Sequence, residues 1–188
     1  MVNAAVDNVG PIYNAQEALR YLLAVCPTFR EWTSTESRAA ALARVHHFHL
    51  PWPSDGDSYT RVELQALRPY AMVWTPPGGF RMEKEDVSSF VDSGTLALRL
   101  VQTAPDNDEN EPDDETNLTF LKTVGKIMRE MCERQGTEDA EAFTDEQPQT
   151  HIAFTAIELK GGPCWPEEID ETTEGPWVCF DIEIEWCG

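Results

Sequence analysis

The last stretch of the chain, GPWVCFDIEIEWCG, alternates with a period of two. Val178, Phe180, Ile182, Ile184 and Trp186 fall on one side, and Cys179, Asp181, Glu183, Glu185 and Cys187 on the other. This is the pattern of a β-strand with one dry face. SGTLALRLVQT repeats it, with Leu96, Leu98 and Leu100 opposed to Ala97, Arg99 and Val101. RPYAMVWTPPGG, HHFHLPW and THIAFTAIELKGG read as further strands, bounded by turn residues. Helical spacing governs three other segments. In NAQEALRYLLAVC the apolar positions are Ala15, Leu19, Leu22, Leu23 and Cys26, with Asn14 as the expected cap and Pro27 as the stop. In TSTESRAAALARV, Thr33 and Glu36 have capping-box spacing. In NLTFLKTVGKIMREMCERQG the expected stripe is Leu118, Leu121, Val124, Ile127, Met128 and Met131, closed by Gly136.

Helix, short helix, several strands, helix and two strands give an α+β fold. We expect one domain spanning residues 1–188, with its core from about 13 to 187. A mostly antiparallel sheet is packed by two main helices on one side, and acidic loop insertions run over 105–116 and 136–149.

Charge changes this picture. The chain has 188 residues, 34 acids against 14 bases and a net charge of −20. Affinity for phosphates comes from Lys and Arg, so nucleic acid is a poor candidate for a directly bound ligand. The same charge argues against binding to an anionic membrane surface. No apolar run reaches the ~18 residues of a membrane-spanning helix. MVNAAVDNVGPIYN lacks the basic and apolar regions of a signal peptide, so use without export is expected. Five cysteines, an odd number without a CxxC pair, suggest reduced thiols in a cytosolic setting.

The densest charge lies in PDNDENEPDDET, where Asp106, Asp108, Glu109, Glu111, Asp113, Asp114 and Glu115 occur without a basic residue. Asp106, Asp108 and Asn110 match the first ligands of an EF-hand loop. The required glycine is replaced by Glu111 and the final glutamate by Asn117, so the loop reads as solvated chain. Its charge favours the start of the helix that follows. His46, His47 and His49 lie on a strand, where His46 faces away from the other two, and only folding could bring His151 to them. They read as a polar strand edge, with a metal-dependent hydrolase as the competing interpretation. No nucleophile motif or phosphate-cradling glycine loop is present, and no enzyme activity or cofactor is expected.

The layout of AQEALRYLLAVCPTF, RPYAMVW, FVDSGTLALRL, NLTFLKTVGKIMREM and FDIEIEWCG, over roughly residues 13 to 187, resembles the tail terminator proteins of long-tailed bacteriophages. These are also called tail completion or minor tail proteins. The resemblance implies a small α+β subunit that forms a homo-hexameric ring in the virion neck. Such a ring caps the tail tube protein, ends tube polymerisation and joins the tail to the head-completion or connector protein. DNA passes through it without specific binding, and no catalysis or cofactor is involved.

On that reading acids facing the lumen would repel DNA over about a Debye length, ~8 Å. The candidates are the acids from Asp106 to Glu115 and the Asp181, Glu183 and Glu185 row. Subunit contacts would draw on aromatics, among Trp32, Trp52, Trp74, Trp165 and Trp177. Arg20, Arg38, Arg44, Arg61, Arg68 and Arg81 would pair with acids of neighbouring subunits. Arg68, Arg81, Trp74 and Trp177 are the foremost of these interface candidates. The alternative from a different class is a DNA-mimic inhibitor, which −20 supports and the concentration of acids in loops opposes. Another head–tail joining protein is a nearer relative of the first reading.

Overall fold

The computed structural model describes residues 10–47, 50, 59–84, 90–104, 114–135, 152–165 and 177–188. Among these residues the order is α1 (Pro11–Val25), α2 (Pro27–Trp32), α3 (Arg38–Leu42), β1 (Val45–His47), α4 (Arg61–Leu67), β2 (Tyr70–Trp74), β3 (Phe80–Lys84), β4 (Phe90–Thr103), α5 (Asp114–Arg134), β5 (Ala153–Cys164) and β6 (Trp177–Cys187). The fold is α+β, as the sequence pattern indicated.

The strands form one sheet in the order β1-β2-β4-β6-β5, and β3 lies beside the first half of β4. All pairs are antiparallel except β1 with β2. β4 and β6 are the two long central strands, and their register puts Leu96 opposite Ile184, Leu98 opposite Ile182 and Leu100 opposite Phe180. With Ala71 and Val73 of β2 these side chains form a floor that is 0–1% exposed. Onto it pack Leu19, Leu22 and Leu23 of α1, Phe29 of α2 and the stripe of α5. At about 25 cal/mol per Å² of apolar surface, this layer is the main favourable term in folding.

The helices depart from expectation in detail. α1 begins at Pro11, so Asn14 lies inside it as a buried residue and Gly10 takes the cap position. Proline fits the first turn because its missing N–H would be unpaired there. The same preference lets Pro27 stop α1 and open α2. Thr33 does not cap α3. Its hydroxyl donates back to the Phe29 carbonyl at 2.8 Å, and Ser37 caps α3 by accepting from the Ala40 N–H.

α5 buries Phe120, Val124, Ile127 and Met131, whereas Leu118 and Leu121 are 51% and 39% exposed. Phe120 sets the phase by stacking on Trp32 and meeting Phe180 edge-on. One residue of phase turns a helix by about 100°, which carries Leu121 off the core. The sequence pattern also missed α4 and β3, which are short. α4 is held by a capping box between Thr60 and Glu63. β3 follows a turn with Gly78 at φ 76. A Cβ on Gly94 would sit 2.2 Å from the Gly79 carbonyl oxygen, so the chain crosses β4 only where a side chain is missing.

Candidate interaction surface

Alternation in β4 and β6 sends every second side chain to the other side of the sheet. β2 contributes Tyr70, Met72 and Trp74 there, β4 contributes Thr95, Ala97, Arg99 and Val101, and β6 contributes Trp177, Cys179, Asp181, Glu183 and Glu185. The four longer or better-packed helices α1, α2, α3 and α5 stay on the opposite side. Among the described residues, Leu67 of α4 and Leu50 are the non-strand apolar groups packed against this outer face, around Tyr70, Val101 and Cys179.

The middle of the face is an ion-pair lattice. Arg99 donates from Nε and Nη2 to the two carboxylate oxygens of Asp181, at 2.7 and 2.8 Å. Its guanidinium carbon lies 5.7 Å from the centroid of Trp74. A fork-to-fork pair backed by an aromatic ring holds both partners in one geometry. The Asp181 hydrogen bonds are the largest reason that the Arg99 pKa stands above its ordinary value, against partial burial that lowers it. Next in the row, Glu183 meets Lys160 at 2.9 Å, and Lys160 also donates to Glu158 at 2.6 Å. Hydrogen bonds to Glu158 and then Glu183 raise the Lys160 pKa. Glu185, the last acid of the row, is exposed and stands opposite Thr95.

Each end of the face is recessed. Arg68, Tyr70, Met72, Arg99, Val101 and Trp177 line a hollow of about 100 Å³. At the other end Arg81, Ser93, Thr95, Thr155, Glu185 and Cys187 line a cleft of about 330 Å³ rimmed by Gly78, Gly79 and Gly94. Trp74, Trp177, Arg68 and Arg81, four interface candidates scattered through the sequence, thus lie on one surface together with the β6 acids. Arg68 is 8% exposed and Arg81 pairs with Glu83 of its own strand.

The remaining sequence candidates are dispersed. Asp114 and Glu115 are exposed in the first turn of α5 rather than in a loop. Negative charge there is favoured by the helix dipole. Asp106, Asp108, Glu109, Glu111 and Asp113 lie outside the described residues, as do Trp52, Gly136, His49 and His151. Trp32 belongs to the core side, where its Nε1 donates to Gln102 at 3.0 Å. Trp165 is half-buried just beyond β5.

Three of the arginines expected to reach neighbouring subunits are engaged within the chain. Arg20 donates to the carbonyls of Val45 and Leu42 and to Glu17. Arg44 donates to the carbonyls of Ala66 and Leu67. Arg38 lies 4.6 Å over the ring of Tyr21. Backbone carbonyls of the same chain thus engage the guanidinium groups of Arg20 and Arg44.

His46 and His47 diverge, as neighbours on a strand must. His47 joins the Glu17–Arg20 cluster and contacts Gln16 at 3.0 Å. Burial works to raise the Glu17 pKa, but hydrogen bonds to His47 and Arg20, and then their charges, hold it below the ordinary carboxylate value. His46 faces the outer side against Tyr70. Burial, followed by the charges of Arg20 and Arg44, pushes its pKa down to about 4. Among the described residues no three His, Cys, Asp or Glu side chains converge as a metal-binding group. No described helix is long and apolar enough to cross a membrane. Compared with known proteins, the sequence matches no family model, and no curated protein matches it.

Proposed function

We propose that this chain is a structural subunit of a phage neck, a tail-terminator-type protein that assembles into a hexameric ring. In this reading the ring caps the tail tube, stops its growth, meets the head connector and lets DNA pass. The layout of elements that resembles this family is the starting point. The observation that carries the reading further is the outer sheet face, where Arg68, Arg81, Trp74 and Trp177 share one surface with alternating charge. Aromatic and arginine side chains grouped at recesses are what protein interfaces use as anchors.

The acids divide between two tasks. Asp181 and Glu183 are neutralised by Arg99 and Lys160, so they suit a contact between subunits better than a lumen wall. The acids from Asp106 to Glu115 have no basic residue among them in sequence and are the better lumen candidates. A ring of six chains at −20 each needs its charge turned toward water or an opening.

Native mass spectrometry across protein and salt concentration, with negative-stain images, tests this. A hexamer with an open hole, or hexameric rings seeded on added tail tubes, is the expected result. A discrete dimer without a hole at every condition, with no binding to tail tubes, would overturn it in favour of the DNA-mimic reading.

A further inference from the structure

The edge strand β5 ends opposite β6 at a pair of facing cysteines that the odd count in the sequence concealed. Cys164, the last residue of β5, stands directly opposite Cys179 of β6 in the antiparallel register. Opposed residues in such a ladder have Cα atoms roughly 4.5–5.5 Å apart, inside the range that a disulfide spans. Both thiols are free, and Cys164 is near enough to add slightly to the upward push on the Cys179 pKa. Their accessibility differs sharply, because Cys164 is exposed and Cys179 is 1% exposed among Tyr70, Val101 and Trp177. The other three cysteines lie elsewhere: Cys26 is buried at the end of α1, Cys132 is exposed on α5, and Cys187 pairs in register with Ser93 and Ala153.

We propose that Cys164 and Cys179 are a dithiol–disulfide couple that small-molecule disulfides oxidise, locking the base of the β5–β6 connection. This is independent of the ring reading. The exchange has two steps. The Cys164 thiolate attacks one sulfur of the small disulfide, forms a mixed disulfide and releases one small thiol. Cys179 then gives up its proton and attacks the Cys164 sulfur, which closes the protein disulfide and releases the second small thiol. Two protein thiols are oxidised and one small disulfide is reduced, so atoms and electrons balance.

The asymmetry of the pair sets the order of events. Cys164 meets the oxidant because it is exposed. Burial, partly countered by the charge of Arg99, pushes the Cys179 pKa up to about 12, so its thiolate is scarce and the second step is slow. The closed loop runs from 165 to 178 and includes the proline-rich connection. Closing it restricts the unfolded chain.

The test is incubation of the folded protein with oxidised glutathione, quenching with an alkylating agent in denaturant, and peptide mass spectrometry. We expect a glutathione adduct on Cys164 that decays into a linked Cys164–Cys179 peptide, with both cysteines protected from alkylation. The thermal midpoint should rise by about 5 °C or more and return on treatment with dithiothreitol. Cys179→Ala should arrest the reaction at the Cys164 adduct, and Cys164→Ser should leave Cys179 fully alkylatable. A wild-type adduct that persists on Cys164 while Cys179 remains alkylatable would overturn the proposal. So would a link from Cys164 to Cys132, Cys187 or a second chain in place of Cys179.

Discussion

The two faces of the sheet are built from the same strands and differ in almost everything else. On the inner face Leu96, Leu98, Leu100, Ile182 and Ile184 belong to the hydrophobic core shared with the helices and are 0–1% exposed. On the outer face their sequence neighbours Arg99, Asp181 and Glu183, together with Lys160 of β5, meet one another as charges, with 31–46% of each side chain exposed. The inner face gains from area removed from water, which is non-directional and tolerant of repacking. The outer face gains little in stability, because half-exposed ion pairs are screened. What it gains is geometry. A guanidinium held by Asp181 and set beside Trp74 keeps one orientation on the surface.

The contrast is broken most forcefully from the inside. Phe180→Ala removes a ring that meets Phe120 edge-on in the core. It should cost about 3–5 kcal/mol in urea denaturation. The matching outer-face change, Asp181→Ala, should cost about 1 kcal/mol after screening. A double-mutant cycle with Arg99→Ala should return most of that as coupling. A coupling near zero would show that the fork is a surface ornament.

Acid sharpens the comparison, because each face carries a titrating group. Glu17 is held below the ordinary carboxylate value, so its contribution is present above the unfolded pKa and is lost as pH falls through the folded one. His46 has a folded pKa of about 4 against 6.5 unfolded. The unfolded chain therefore binds more protons between these values, and stability falls as pH drops from 6.5 towards 4. His46→Phe should flatten the denaturation midpoint over that window and leave the lower-pH loss from Glu17 in place.

The smallest stability effect belongs to Glu185, which is exposed on the outer face. Glu185→Gln should move stability by no more than about 0.5 kcal/mol. If the outer face is the ring contact, the same change should still shift the salt dependence of assembly seen by native mass spectrometry.

Much of this was legible in the chain itself. Strict alternation in 178–187 and 96–101 determined two strands, their dry sides and the side on which the acids stand, because a strand allows no other arrangement of successive side chains. Helical spacing marked α1 and α5, and the order of elements suggested that they pack on one side of the sheet. Tertiary structure decided the rest. Leu118 and Leu121 were given to the core by spacing alone, and Phe120 displaced them because only it could reach Trp32 and Phe180. The parallel pairing of β1 with β2 has no local signal, since register between strands is set by where the connections return.

The candidate surface was only partly readable. Trp74 and Trp177 were visible as large aromatics and Arg68 and Arg81 as cations, but no spacing in sequence announced that they share a face. Arg20 and Arg44 looked equivalent to them and proved to be satisfied by backbone carbonyls of their own chain. Cys164 and Cys179 are separated by a long connection and become neighbours only through the β5–β6 ladder. Sequence fixes what each side chain can do, through its charge, volume and donors. Which of those capacities is used depends on the distance to a partner, and distance between remote residues is a property of the folded chain alone.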